Sequence, residues 1–205
     1  MNYIASTFFD ADSWSKFGLN WVRSAKSASL ETIVIGDDLS EDAIAKIKEL
    51  NYRYVPVIKK FKTDCNVMYT LVQNLDKNSR CLWTKPDILP KSGLETNCDL
   101  LCGYSNQSVQ DLADPVVNLY DRAAMIESLR EQIGKKHGKY LSSAYMLGTH
   151  DFWNGYFGCR AYLYGKQYLQ AKGEGDDLVL NFFVALTNSI SVEDRKSTRL
   201  NSSHT

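Results

Sequence analysis

Apolar residues fall in short blocks along the chain, with polar punctuation between them, and their spacing alternates between that of a strand and that of a helix. Asn2–Phe9 is apolar and aromatic enough for a central strand, and the Asp10, Ala11, Asp12, Ser13 turn that follows suits a helix cap. Residues 14–28 place Phe17, Trp21, Ala25 and Ala28 on one helical face. A second strand is predicted over 31–35, closed by Gly36, Asp37 and Asp38. Ser40 with Glu41 and Asp42 then opens a helix whose inner face is Ala43, Ile44, Ile47 and Leu50. Residues 52–58 predict a third strand, which Pro56 marks as an edge or a strand end. A helix over 64–75 carries Val67, Met68, Leu71 and Leu75, and residues 80–83 form the fourth strand. Such alternation predicts an α/β fold: a single domain with a mainly parallel central sheet flanked by helices.

The stretch 81–90, CLWTKPDILP, is where this pattern turns. Cys81, Leu82 and Trp83 read as the end of a buried strand, whereas Pro86 removes a backbone donor and pushes Lys85 out of helical geometry. The chain is expected to leave the sheet between Thr84 and Asp87, setting Lys85 and Asp87 at a strand's carboxyl end. Open α/β sheets form their ligand crevices there. Beyond Pro90, residues 98–102 predict a further strand, and residues 119–133 predict a helix with Ile126, Leu129 and Ile133 on one face. Residues 141–169, dense in aromatics and glycines, predict short strands and a pocket wall, with a helix over 162–169. The acidic run GEGDD leads into a buried helix over 178–186.

The 205 residues carry 24 basic and 24 acidic side chains, a balance that offers no nucleic-acid-binding surface. No apolar run approaches twenty residues, so no membrane span is expected, and the first residues lack the pattern of a signal peptide. The expected location is the cytoplasm. Five cysteines without export signals are expected to be reduced and mostly buried; Cys98 and Cys102 lack the second ligand pair of a zinc site. Residues 194–205 resemble translated sequencing-library adaptor and are expected to be an artefactual tail on a domain of residues 1–193 that continues in the natural protein. Without Asp194, Arg195, Lys196 and Arg199 the remainder has 21 basic and 23 acidic residues, a net charge of −2.

Phosphate-binding Walker loops, Gly-x-Gly-x-x-Gly turns, nucleophile elbows and His-Glu-x-x-His zinc helices are all absent. Acids at the predicted element ends stand out instead: Asp10, Asp12, Asp37, Asp38, Asp87, Asp151, Asp176 and Asp177. Loop carboxylates bind metals, ribose or sugar hydroxyls, and they also serve as helix caps and solvated turns. Phe152, Trp153, Tyr156 and Phe157 suit either a pocket wall or a core.

The order of these features resembles the nucleotide-diphospho-sugar transferases of the GT-A fold, in particular their glycogenin-like branch. Carrying the resemblance are the first strand with its polar turn, LWTKPDIL, the aromatic glycine-containing segment and the final Asp-x-x-x-x-Asn helix. In that family the central strand ends in Asp-x-Asp, which holds a divalent cation on the donor diphosphate. Here the triplet is Lys85, Pro86, Asp87, so the second acid is kept and the first is a lysine. The resemblance implies a nucleotide-sugar donor contacted by Thr7, Phe8, Asp10 and Asp37 at its nucleotide and by Gly148, Trp153 and Asn181 near its sugar. It implies catalytic roles for Lys85, Asp151 and Asp177. Asp177 would be a general base or a sugar-orienting acid.

Departure of a diphosphate needs positive charge, from manganese or magnesium or from fixed basic side chains, and Lys85 is placed to supply it without a tightly held metal. The expected partners are the nucleotide sugar and a saccharide or glycolipid acceptor. A non-catalytic nucleotide- or carbohydrate-binding module on the same scaffold is the alternative. Lys85, Asp87, Asp151 and Asp177 are expected to converge on one hollow.

Overall fold

The structure is a computed structural model that describes residues 2–62, 65–94, 96–104, 131, 141–165, 176–187 and 191–194. Apart from Glu131, the helix predicted over 119–133 lies outside the described residues, as does the GEG of the acidic run. Strands β1 (Asn2–Phe9), β2 (Glu31–Gly36), β3 (Arg53–Pro56), β4 (Ser79–Thr84), β5 (Leu100–Tyr104), β6 (Leu141–Thr149) and β7 (Val192–Asp194) form one sheet in the order β3-β2-β1-β4-β6-β5-β7. All the pairings are parallel except those of β6, which runs antiparallel to both β4 and β5. The α/β fold with a mainly parallel sheet is thus present, and Pro56 ends its edge strand β3. Because β7 reaches Asp194, the sheet extends one residue past the boundary expected at 193.

Helices cover both faces. α3 (Glu41–Glu49) and α2 (Leu19–Ser27) bury Ile47, Trp21, Val22 and Ala25 against Ala5, Phe9 and Val34. On the other face lie α4 (Asn66–Asn74), α5 (His150–Gly165) and α6 (Asp176–Leu186). Their Leu71, Trp153, Tyr156 and Leu180 meet Ile4, Ile33, Cys81 and Trp83. The alternation of β1 explains the division: Ile4 and Phe8 face one layer, Ala5 and Phe9 the other.

Two elements differ from expectation. The helix after β1 begins as α1 (Ala11–Ser13), passes through a π-helical turn (Trp14–Gly18) and continues as α2. The wider turn shifts the helical register, so Phe17 is exposed while Trp14 packs toward the core and its ring lies where a Cβ on Gly18 would fall. The aromatic segment forms one long strand and one long helix, with the boundary at His150. Its apolar residues surround α5 on most sides, so no amphipathic period marks the start of that helix. All five cysteines are free thiols, with Cys65, Cys81 and Cys102 in the core.

Candidate functional site

Strands β1 to β4 are parallel and end at one edge of the sheet, and the polar residues that follow them are collected there. Thr84, the last residue of β4, is held from two sides. The Trp21 indole donates to its hydroxyl at 2.7 Å, and the Thr7 hydroxyl donates to its carbonyl at 2.8 Å, both in buried surroundings. The Lys85 amide then donates to the Ala144 carbonyl at 3.0 Å, and the Lys85 carbonyl accepts from the Ile88 amide at 3.0 Å. The second bond closes a tight turn over Lys85, Pro86, Asp87 and Ile88, with proline at its second position as such turns prefer. Backbone positions are thus fixed while the side chains of Lys85 and Asp87 stand exposed to solvent.

Beside this turn lies the start of β6. Pairing with β4 begins only at Tyr145, so the three residues Leu141 to Ser143 have no β4 neighbour, and on that side α6 supplies partners for Leu141 and Ser143. The Asn181 side chain accepts from the Leu141 amide and donates to the Leu141 carbonyl, both at 2.8 Å. One turn earlier, Asp177 Oδ1 accepts from the Ser143 amide at 2.6 Å and from its hydroxyl at 2.5 Å. Ser143 precedes Ala144, the backbone partner of Lys85, so the main chain of Lys85 and the carboxylate of Asp177 bond to adjacent residues of one strand.

The neighbouring strand ends are also polar. Asp10 accepts from the Ser13 amide at 2.8 Å and from its hydroxyl at 2.6 Å, in a capping box at the head of α1. The Asp37 amide donates to the Phe9 carbonyl, and its carboxylate pairs with Lys59 at 2.9 Å. That hydrogen bond and the Asp37 charge raise the pKa of Lys59. Burial, with Asp37 and Asp38 nearby, raises that of the Tyr54 phenol. Phe8 is partly buried against the main core.

Three of the expected residues are elsewhere. β6 is antiparallel to β4 with Thr149 opposite Arg80, so the chain emerges at the amino end of β4, four strand residues or about 13 Å from the Lys85 edge. Asp151 follows there, fully exposed, and does not share a hollow with Lys85. Trp153 is fully buried, donates its indole N–H to the Cys81 carbonyl at 3.2 Å and has no face free to stack on a sugar. Gly148 lies opposite Cys81, and a Cβ there would sit 2.3 Å from the Phe152 ring, so the glycine makes room for an aromatic neighbour. Asn181 is buried and engaged with Leu141.

Other residues at this edge escaped the sequence. Ser143, Thr84 and Trp21 are ordinary in type and acquire importance only through pairing register. Arg160 carried a usable signal: a lone cation in an apolar helix requires an acid partner. It is buried, and its guanidinium donates to Asp176. Among the described residues no three His, Cys, Asp or Glu side chains cluster in a way that could hold a metal ion. One ammonium and one carboxylate at 85 and 87 are not a donor set for a divalent cation.

No protein-family model matches the sequence, and no curated protein matches it. Solved structures do match in fold. The galactosyltransferase LgtC, bound to donor and acceptor sugar analogues, aligns with TM-score 0.55 at 13% identity over 87% of this chain and 69% of that one. The glycosyltransferase GlyE of Streptococcus pneumoniae aligns with TM-score 0.54 at 10% identity over 95% of this chain and 45% of that one. CMP:2-keto-3-deoxy-manno-octonic acid synthetase complexed with CTP aligns with TM-score 0.51 at 11% identity over 96% of this chain and 90% of that one. The fold is therefore that of GT-A glycosyltransferases, and CMP:2-keto-3-deoxy-manno-octonic acid synthetase shares it.

Proposed function

We propose that this chain is a glycosyltransferase that moves a sugar from a nucleotide-sugar donor to a saccharide or lipid-linked acceptor, with Lys85 serving where related folds use a metal. The observation that carries the proposal is the adjacency of Lys85 and Asp177 through Ala144 and Ser143 at the carboxyl edge of the sheet. In this reading the donor diphosphate lies across the turn at Lys85 to Ile88. The ammonium stabilises the charge that develops as the glycosidic bond to phosphate breaks. Thr7 holds the floor of the site through Thr84, and Phe8 and Asp37 border the nucleotide. Asp177 keeps Oδ1 on Ser143 and turns Oδ2 toward the sugar or the acceptor hydroxyl, where it orients one or takes a proton from the other. Asp87 contributes a hydroxyl contact, and no step passes through a metal.

Asp151, Trp153 and Gly148 have no part in this proposal, because their positions belong to the opposite end of the sheet or to the core. The hydrogen bonds of Asp177 and Asn181 to β6 favour a second reading, a non-catalytic nucleotide- or carbohydrate-binding module, since both side chains already have structural work. Screening nucleotide sugars by thermal shift with and without manganese, followed by assay of nucleotide release, separates the two. Binding with turnover supports transfer, binding without turnover supports the module, and absence of binding contradicts both.

A further inference from the structure

Asp176 and Asp177 are adjacent acids at the head of α6, and the structure gives them different neighbours. Arg160, on α5 and only 4% exposed, donates to the Asp176 carboxylate while its guanidinium lies 5.4 Å from the centre of the Tyr164 ring. The Tyr156 hydroxyl donates to the Asp176 carbonyl at 3.2 Å. Burial and the Asp176 charge raise the pKa of that phenol and keep it a donor. Helix α5 therefore grips the first residue of α6 by side chain and main chain together. Asp177, one residue on, is left to meet the Ser143 amide and hydroxyl.

A buried guanidinium requires a carboxylate partner, and a carboxylate at a helix head accepts from whatever donor is within reach. Unengaged, Asp176 would compete with its neighbour for the start of β6. We infer that Arg160 is a positioning residue: by holding Asp176 it selects Asp177 as the acid that faces Ser143 and the site beside Lys85. The inference rests on the reading of Asp177 as the site acid, but its geometric part is separable from transfer activity. The Arg160 guanidinium reaches Asp176 from α5 while lying over the Tyr164 ring, and a lysine ammonium has neither its planar fork nor its delocalised charge, so lysine is a poor substitute.

Amide hydrogen exchange on the whole chain tests this without a donor. In Arg160→Met, protection of the Ser143 amide should fall on the order of tenfold to a hundredfold, the worth of one charge-assisted hydrogen bond. Protection of the Leu141 amide, held by Asn181 one helical turn further on, should persist. Adding Asp176→Asn to Arg160→Met replaces the competing carboxylate by a weaker acceptor and should restore Ser143. Retained Ser143 protection in the single variant overturns the inference. So does joint loss at Ser143 and Leu141 with no recovery in the double variant, which would make Arg160 a helix anchor only. Should Arg160→Met fail to fold, Arg160→Lys is read by the same two amides with the same outcomes. Failure of the wild type to release nucleotide from any donor would contradict the transferase proposal and leave the amide pattern unaffected.

Discussion

The side-chain amide of Asn181 and the backbone of Leu141 form a two-way clamp in which one side chain both accepts from the N–H and donates to the C=O of a strand residue. It stands in for a neighbouring strand just where β4 turns away at Pro86. Asn181→Leu keeps the branched heavy-atom skeleton and removes both bonds in a buried setting, so it should cost about 2–4 kcal/mol of stability. Urea unfolding of the two proteins measures the difference, and an equal midpoint would show that the clamp contributes nothing.

Gly148 gives a contrasting expectation. A methyl group at this position meets the Phe152 ring, which is itself wedged among Trp153, Tyr156 and Phe183. Gly148→Ala should therefore lower stability by about 1–3 kcal/mol through overpacking. Thermal unfolding with and without a bound nucleotide sugar checks the assignment, because a packing role lowers both midpoints equally. Selective loss of the ligand-induced shift would restore the glycine to the donor site.

Most of the first ninety residues were legible because the strands and the helices after β2 and β3 satisfy their own periodicity, and the Pro86 turn advertises the strand end beside it. Register was not legible. That Asp151 leaves the sheet at the wrong end follows from β6 being antiparallel, and no local pattern in LSSAYMLGT encodes direction. Trp153 stayed open between pocket wall and core because burial depends on what the opposite layer brings, here the Cys81 carbonyl. Phe17 was assigned to the core stripe on a regular helical period that the π-turn breaks. Lys85, Asp87 and Asp177 could be read as candidates from residue type and position. Their link through Ser143 and Ala144 needed the fold.

Acid should loosen the attachment of β7 through a single group. Asp99 accepts from the amide and hydroxyl of Ser191, and these bonds, with Arg80 nearby, lower its pKa below the ordinary 3.8. A carboxylate depressed on folding adds stability that is present above its unfolded pKa and lost as pH falls through the folded one. Protection of the Ser191 amide should hold at pH 5 and above and decline as pH drops below about 4. Asp99→Asn should lack this acid-dependent part, and an identical pH profile in the variant would assign the effect to another group.

Reintroducing the first acid provides a gain-of-function test at the turn. Lys85→Asp would set two carboxylates two residues apart on a backbone fixed by Ala144 and Ile88, with the ammonium removed. Manganese together with a nucleoside diphosphate should then raise the melting temperature of Lys85→Asp more than either alone, whereas the wild type gains nothing from the metal. Equal metal responses in the two proteins would mean that residue 85 does not face the diphosphate.

Titration calorimetry of a nucleoside diphosphate into the protein in the presence of a chelator addresses the role of Lys85 most directly. The wild type should bind without metal, and Lys85→Ala should bind more weakly by about 1.5–3 kcal/mol, the value of one charge-assisted contact. Binding that appears only when manganese is restored, with Lys85→Ala indistinguishable from the wild type, would contradict it.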